Sequence, residues 1–293
     1  MQAVQMLDAE LVFRQIRPKP SDLHKGTSGK LFLVAGSRAF RGAAVMASLG
    51  ALRSGCGYVT LASTADVCRE VACHLIPPTF AVLEENEAGR IRAQSAGSIL
   101  RQGAGYDTLL LGCGLGLDKD TSALVETLIG GWKRPLVLDA DGINAAAGRI
   151  SMLREAPGSL ILTPHEGEMA RLLETTASWV HEHRREAVLR LAAEARVTAV
   201  LKGPHTLIAS PDGTLLENTS GNSGLAKAGS GDILSGMIAS FAAQGICPLW
   251  AAACGVYLHG AAADRTAGRL SKYCMQPPDL LDDLPALFLQ NGR

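Results

Sequence analysis

The chain has 293 residues, 47% of them hydrophobic and 32 of them glycine, which is enough for one large α/β domain or two small ones. Its 28 basic and 28 acidic side chains balance to zero formal charge, which argues against binding to nucleic acid or to an anionic membrane. The seven cysteines contain no Cys-x-x-Cys pair, so neither a disulfide framework nor a zinc site is indicated. The N-terminus lacks the apolar core of a secretory signal, and the longest apolar run, 250–263, is too short to cross a bilayer. We therefore expect a soluble, cytoplasmic protein.

The hydrophobic pattern alternates between short apolar runs and segments with helical spacing. In chain order it predicts a strand at 30–35, a helix at 42–54, strands at 58–62 and 108–111, a helix at 122–130, strands at 135–139 and 159–162, helices at 166–174 and 181–195, a strand at 198–202, and helices at 233–244 and 249–263. Between the last strand and these helices, Ser-Pro-Asp-Gly separates two short runs, 206–209 and 214–217, and predicts a hairpin at the sheet edge. The alternation predicts one α/β domain over 1–293, with a mostly parallel sheet between helices on both faces.

Ligands of such sheets bind beyond the carboxyl ends of the strands. Polar or glycine-rich loops follow five predicted strands and begin at Gly36, Gly112, Asp139, Thr163 and Lys202. Each residue alone has an ordinary explanation: His165 as a helix cap or core residue, Asp139 and Asp141 as turn formers, and Lys202 as a surface charge. Because the loops converge at one edge of the sheet, we expect a ligand site there.

The stretch 218–236 is rich in glycine and serine and leads into an apolar helical run. Such a loop lets backbone N–H groups converge, and the following helix adds the positive end of its dipole, so the stretch suits an anion such as phosphate. Its one acidic residue, Asp232, has two interpretations. It is an N-cap, a general base that takes a proton from a hydroxyl attacking a phosphate, or both. The local sequence does not separate them.

Two other glycine motifs are rejected. The segment 26–30, Gly-Thr-Ser-Gly-Lys, is not a P-loop, because His24 and Leu31 stand where the motif needs glycine and Ser or Thr. The segment 112–116, Gly-Cys-Gly-Leu-Gly, is not a dinucleotide fingerprint, because its third glycine comes one residue early and it lies far into the chain.

Four ordered motifs resemble the ADP-dependent NAD(P)H-hydrate dehydratases of the ribokinase-like superfamily. They are Leu-Asp-Ala-Asp-Gly-Ile-Asn at 138–144, Leu-Thr-Pro-His-Glu-Gly-Glu-Met at 162–169, Leu-Lys-Gly-Pro-His-Thr at 201–206 and Gly-Asn-Ser-Gly-Leu-Ala-Lys-Ala-Gly-Ser-Gly-Asp at 221–232. The resemblance extends from His24 to Asp264 and implies a three-layer α/β/α, ribokinase-like fold. It departs from the family pattern at Cys113 and Glu166, where proline is usual.

The resemblance implies repair of hydrated nicotinamide cofactors. ADP phosphorylates the 6-hydroxyl of the S form of NADHX or NADPHX, and phosphate is then expelled to give NADH or NADPH with AMP. Mg²⁺ and ADP or ATP are implied, as are a homotetramer and a functional link to a separate NAD(P)H-hydrate epimerase, since this chain is expected to have no room for an epimerase domain. Two rival functions stay open: a ribokinase-like kinase of a small alcohol such as hydroxymethylpyrimidine or hydroxyethylthiazole, and a catalytically idle nucleotide-binding regulator.

The resemblance also implies residue roles. Asp232 is the implied catalytic base, and the hydrated dinucleotide is expected to contact Ala43, Gly116, His165 and Asp232. Nucleotide binding is implied for Lys202, Gly203, Pro204, His205 and Thr206, and an anion hole for Ala228, Gly229, Ser230 and Gly231. Glu168 stands where related kinases hold Mg²⁺ through water.

Overall fold

The computed structural model describes residues 4–20, 26 and 28–293, so His24 and Lys25 lie outside the described residues. Its strands are Gln5–Met6 (β1), Lys30–Val34 (β2), Tyr58–Thr64 (β3), Thr79–Leu83 (β4), Thr108–Leu111 (β5), Leu136–Leu138 (β6), Leu160–Leu162 (β7), Thr198–Leu201 (β8), Thr206–Ala209 (β9) and Leu215–Asn218 (β10). They form one ten-stranded sheet in the order β1-β10-β9-β8-β7-β6-β5-β2-β3-β4. Only β9 runs antiparallel to its neighbours, which confirms the predicted, mostly parallel sheet.

Helices cover both faces of this sheet. They are Ala9–Gln15 (α1), Arg41–Arg53 (α2), Ala65–His74 (α3), Ala96–Gly103 (α4), Lys119–Gly131 (α5), Asp141–Ala145 (α6), Ile150–Arg154 (α7), Glu166–Leu172 (α8), Ala177–Glu182 (α9), Arg184–Ala195 (α10), Ser230–Ala243 (α11), Pro248–Cys274 (α12) and Leu284–Gln290 (α13). Among the described residues, no helix combines the length and the apolarity needed to cross a bilayer.

Strand β2 shows why the architecture has three layers. Successive side chains of a strand point to opposite faces. Accordingly, Leu31 and Leu33 enter the core beneath α2, α3, α11 and α12, whereas Phe32 and Val34 enter the core beneath α4, α5, α8 and α10. A strand buried on both faces reads as a continuous apolar run, which is the pattern that predicted it.

Several predicted boundaries were wrong. The hairpin β9–β10 is not at the sheet edge, because the two-residue strand β1 pairs in parallel with β10 outside it. The predicted helix 181–195 is two helices, α9 and α10, separated at His183, whose φ and ψ are −125° and 39°. The last long helix begins at Pro248, a residue tolerated at the first helical position, and extends to Cys274 with a kink at Ser271, whose φ and ψ are 67° and 155°.

Candidate active site

Helix α11 begins at Ser230, three residues earlier than predicted. This start tests the interpretation of Asp232 as the N-cap of the helix. Its N-cap is Gly229, with a φ of 93°, and no side chain caps the helix. Asp232 therefore lies inside the first turn, and the N-cap interpretation was wrong. The N–H groups of a first helical turn have no partner within the helix, so the turn that contains Gly231 and Asp232 presents donors and the positive end of the dipole.

Asp139 follows β6 and is buried beside this turn. Its Oδ1 accepts hydrogen bonds from Lys202 Nζ at 2.8 Å and Thr163 Oγ1 at 2.7 Å, and its Oδ2 accepts one from Ser235 Oγ at 2.5 Å. Burial by itself raises the pKa of Asp139. The Lys202 charge and these three hydrogen bonds outweigh burial and hold the pKa below its usual value. Asp139 is therefore an ionised, fully bonded carboxylate, which its reading as a turn former does not explain.

Lys202 follows β8 and is not a surface charge. Its side chain is 18% exposed, and Nζ lies 2.8 Å from Asp139 Oδ1 and 3.7 Å from Glu168 Oε2. A Cβ added to Gly231 would lie only 3.6 Å from Nζ, so the ammonium faces the start of α11. Burial lowers the pKa of Lys202, but the charges of Asp139 and Glu168 raise it above its usual value. An ammonium and a helix N-terminus thus converge on one point, an arrangement that suits an anion.

The Cys113 side chain lies close to both Asp139 and Asp232. One atom each of Cys113, Asp139 and Asp232 lies within 4.8 Å of the others. The thiol is buried, and its Sγ lies 3.9 Å from Asp139 Oδ2. Burial, followed by the charges of Asp232 and Asp139, raises the pKa of Cys113 well above its usual value. The thiol is therefore neutral and can act as a weak donor to a carboxylate.

The surroundings of Asp232 raise the pKa of its carboxyl group towards neutrality. Burial and, after it, the charge of Asp139 raise the pKa of Asp232, which lies at about 7. The Cys113 thiol and the Lys202 ammonium act in the opposite direction, and Asp141 contributes a smaller increase. A carboxylate that titrates near neutrality suits a general base.

His165 and Glu168 form a capping box at the start of α8. His165 Nδ1 accepts from the N–H groups of Gly167 at 3.0 Å and Glu168 at 3.3 Å, while Glu168 Oε2 accepts from His165 N at 2.8 Å. The helix-cap reading of His165 is thus confirmed, yet 55% of its side chain stays exposed for another contact. Burial, Lys202 and Arg171 lower the pKa of His165. Burial raises the pKa of Glu168.

The remaining predicted residues are held by other contacts. The Gly116 N–H donates to Asp141 Oδ2 at 2.8 Å, and Ala43 packs against Gly114 in the loop that follows β5. The segment 203–206 borders the site through Lys202, and its first three residues are exposed. His205 Nδ1 lies 2.9 Å from Glu217 Oε1.

Glu166, one of the departures from the family pattern, pairs away from His165. Its Oε1 lies 2.5 Å from Arg184 Nη1 and 3.2 Å from His181 Nδ1. The second guanidinium nitrogen of Arg184 donates to the carbonyl oxygens of Leu201 and Lys202, at 3.3 and 3.5 Å. The added carboxylate therefore links the start of α8 to the predicted nucleotide loop.

Sequence reasoning missed the residues that fasten the glycine-rich loop to α12. Asp264 accepts from Gly221 N at 2.8 Å and from Asn222 Nδ2 at 2.9 Å, and His259 Nε2 lies 3.4 Å from Ser230 Oγ. The one visible signal was a histidine within an otherwise apolar helical run. These contacts hold the residues that precede Asp232 in place.

A parallel α/β sheet with a glycine-rich loop before a helix and an aspartate in its first turn defines the class of this protein, the ribokinase-like superfamily. The chain superimposes on a ribokinase-like superfamily protein from Enterococcus faecalis with a TM-score of 0.82 and 25% identity, covering 99% of this chain and 97% of that one. Within that class, the chain belongs to the NAD(P)H-hydrate dehydratase family, whose model matches residues 31–286. The resemblance inferred from the four motifs is confirmed.

Individual relatives of the chain support membership of this family. The chain is 42% identical over 270 residues to an ADP-dependent (S)-NAD(P)H-hydrate dehydratase of Neisseria meningitidis, covering 89% of this chain and 85% of the relative. It is 41% identical over 280 residues to a bifunctional NAD(P)H-hydrate repair enzyme of Moorella thermoacetica, covering 96% of this chain and 53% of the relative, so it spans about half of that protein. An ADP/ATP-dependent NAD(P)H-hydrate dehydratase from Bacillus subtilis, co-crystallised with ATP and Mg²⁺, superimposes with a TM-score of 0.85 at 30% identity, covering 99% of this chain and 100% of that one.

Proposed function

We propose that the protein catalyses the ADP-dependent dehydration of the S form of NADHX and NADPHX to NADH and NADPH, with release of AMP and phosphate. The observation that carries the proposal is the position of Asp232. Its carboxylate, with a pKa raised to about 7 by burial, lies in the first turn of a helix that faces the Lys202 ammonium. A base beside an anion site is what phosphoryl transfer to an alcohol requires. The names of the Neisseria and Bacillus relatives support the substrate.

The chain's own residues supply positioning, charge neutralisation and one proton acceptor. Asp232 takes the proton of the 6-hydroxyl as its oxygen attacks the terminal phosphorus of the nucleotide, and the bond to the AMP oxygen breaks. The first-turn amides of α11, in the anion hole 228–231, and the Lys202 ammonium offset the charge of the migrating phosphoryl. Phosphate then leaves with the electron pair of its bond to the ring, the neighbouring ring carbon gives up a proton to the departing phosphate, and the double bond forms again. Ala43, Gly116 and His165 contact the dinucleotide, and the segment 202–206 holds the nucleotide.

The donor set of the site fits Mg²⁺, which takes oxygen ligands, keeps several waters and binds with nucleotide phosphates. Glu168 Oε2 is engaged in the capping box, whereas Oε1 has its His165 contact at 3.5 Å, so Oε1 remains able to accept from a metal-bound water. When bound, the ion neutralises phosphate charge. Glu168 would hold it through water, as proposed from the sequence.

The wider setting belongs to the same proposal. Residues 1–293 act as a single dehydratase domain that assembles as a homotetramer in the cytoplasm. In the described part of the chain all seven cysteines are free thiols, as a reducing compartment favours. Because the substrate is the S form alone, an epimerase activity would be needed to convert the other epimer into substrate.

The proposal is tested by incubating the protein with enzymatically hydrated NADPH, Mg²⁺ and either ADP or ATP, and following the absorbance of the reduced ring. Recovery of the absorbance with stoichiometric AMP is the expected result. Consumption of nucleotide only with hydroxyethylthiazole or hydroxymethylpyrimidine would instead identify a kinase. Only similarity of fold supports the kinase alternative: a hydroxyethylthiazole kinase of Pyrococcus horikoshii superimposes with a TM-score of 0.61 at 14% identity. No reaction with either alcohol or hydrate would identify a regulator.

A further inference from the structure

We propose, building on the function above, that Asp139 is a positioning residue: its negative charge holds the Lys202 ammonium beside the anion hole and makes the Asp232 carboxylate a stronger base. Asp139 does not act on the substrate in this scheme. It acts through the two charged side chains on either side of it.

The first part of the proposal rests on how the Lys202 ammonium is held. Asp139 Oδ1 binds it at 2.8 Å, while Glu168 Oε2 is its more distant acidic neighbour at 3.7 Å. Thr163 and Ser235 hold Asp139 itself by hydrogen bonds to opposite oxygens. Ser235 Oγ also lies 2.9 Å from the carbonyl oxygen of Gly231, so the same network connects Asp139 to the first turn of α11.

The second part rests on the charges around Asp232. The groups that face it are the Cys113 thiol after β5, Asp139 after β6, Asp141 in α6 and Lys202 after β8, with Glu168 of α8 acting on Lys202 from the far side. Lys202 is the one cation among them. Were it to pair with Asp232, it would stabilise the charged carboxylate and weaken it as a base. Lys202 pairs with Asp139 instead. The Asp139 charge also disfavours the charged form of Asp232.

Three variants separate these effects in the protein without substrate. Asp139→Asn keeps the shape but removes the charge, Lys202→Met removes the ammonium, and the double variant removes both. Selective carboxyl ¹³C labelling of aspartate allows Asp232 to be titrated by NMR, with its resonance identified by its loss in Asp232→Asn. The titration midpoint of Asp232 should fall by about one pH unit or more in Asp139→Asn, rise in Lys202→Met, and lie between the two in the double variant.

Activity gives a second readout. In Asp139→Asn the acid limb of the kcat/KM profile for hydrated NADPH should move to lower pH, and kcat on the plateau should fall about 10-fold because the ammonium has moved. Thr163→Val is the matched control. It removes one hydrogen bond to Asp139 but leaves the charge, so the Asp232 midpoint should stay within about 0.3 pH units of the wild type.

An unchanged Asp232 midpoint in Asp139→Asn would overturn the proposal and leave Asp139 a structural residue. Asp139→Asn leaves a buried ammonium unpaired and could therefore fail to fold. In that case the double variant is compared with Lys202→Met, and the Asp232 midpoint must be lower in the double variant. The titration is read without catalysis. If the wild-type protein does not restore NADPH, the proposed function is refuted. The role of Asp139 is still decided by the titration midpoints.

Discussion

Gly50 of α2 lies against the backbone of Ile233 in α11, so close that an added Cβ would overlap the Ile233 carbonyl oxygen. Gly236 of α11 makes the reciprocal contact with the backbone of Ala47. The two helices therefore cross with their backbones in contact. Because α2 carries Ala43 and α11 carries Asp232, this crossing fixes the two predicted substrate contacts relative to each other.

We expect Gly50→Ala and Gly236→Ala each to destabilise the protein by about 1–3 kcal/mol or more, because the neighbours are backbone atoms that cannot rotate away. The measurement is urea unfolding followed by circular dichroism. Gly268→Ala in α12 is the control, since a Cβ there meets open space. It should be neutral or stabilise by about 0.5–1 kcal/mol. Equal effects at all three positions would refute the close crossing.

Asp232→Asn should separate binding from catalysis. The amide keeps the shape of the side chain but cannot accept the hydroxyl proton, so turnover of hydrated NADPH should fall roughly 100-fold or more. ADP binding, measured by calorimetry, should weaken by less than about 3-fold, because the first-turn amides and Lys202 are unchanged. Near-normal turnover in this variant would confine Asp232 to a structural role.

Much of the fold could be predicted because its central strands are buried on both faces. The runs that became β2, β5 and β8 are continuously apolar and end in glycine or polar residues, so a local pattern was sufficient. The edge strand β4 was missed although 80–83 is an apolar run like the others; it follows Pro77 and Pro78, and its Phe80 and Val82 side chains are exposed. The break at His183 was missed because charged residues continue on both sides of it.

The site was predictable where it depends on strand ends and not where it depends on distant contacts. Lys202 and Asp139 could be placed at one edge because the carboxyl ends of parallel strands meet there. Asp232 was placed by the glycine-rich loop before its helix and by the family resemblance. The ion pair between Asp139 and Lys202 joins residues 63 positions apart, and the Ser235 bond to Asp139 joins residues 96 apart. No local pattern encodes such pairs. Cys113 looked like a mere departure from a family motif, although its thiol lies between two carboxylates.

The pH dependence of turnover should reflect Asp232. Since the base must be ionised and burial raises its pKa to about 7, kcat/KM should rise with an apparent pKa of about 7 and then level off. Steady-state rates in overlapping buffers measure this profile. A limb at the ordinary aspartate value would show that Asp232 is not the base.

Asp232 should also lower stability at alkaline pH. Its folded-state pKa of about 7 lies above the ordinary value of 3.8, so the stability that its protonated form contributes is lost as pH rises from about 4 to about 7. Asp232→Asn should therefore be more stable than the wild type by about 1–3 kcal/mol at about pH 8, and this gain should shrink towards about pH 4. A gain that does not change with pH would contradict the assignment.

His259 should make the protein sensitive to acid. Burial lowers its pKa from 6.5 to about 4, so between these values the unfolded chain binds the proton more readily than the folded one. Its contribution to stability is therefore complete above about pH 6.5 and is lost as pH falls towards about 4. At about pH 5 the loss amounts to about 2 kcal/mol relative to neutral pH.

His259→Gln keeps a polar group near Ser230 but cannot be protonated, so the fall in unfolding free energy between about pH 7 and about pH 5 should be smaller than in the wild type by about 2 kcal/mol. Urea unfolding at the two pH values measures the difference. His74→Gln is the matched control, because His74 is exposed and its replacement should leave that fall unchanged within about 0.5 kcal/mol. Equal falls in the wild type and His259→Gln would show that His259 is already able to take up a proton in the folded protein, and the loop before Asp232 would then rest on a charged side chain.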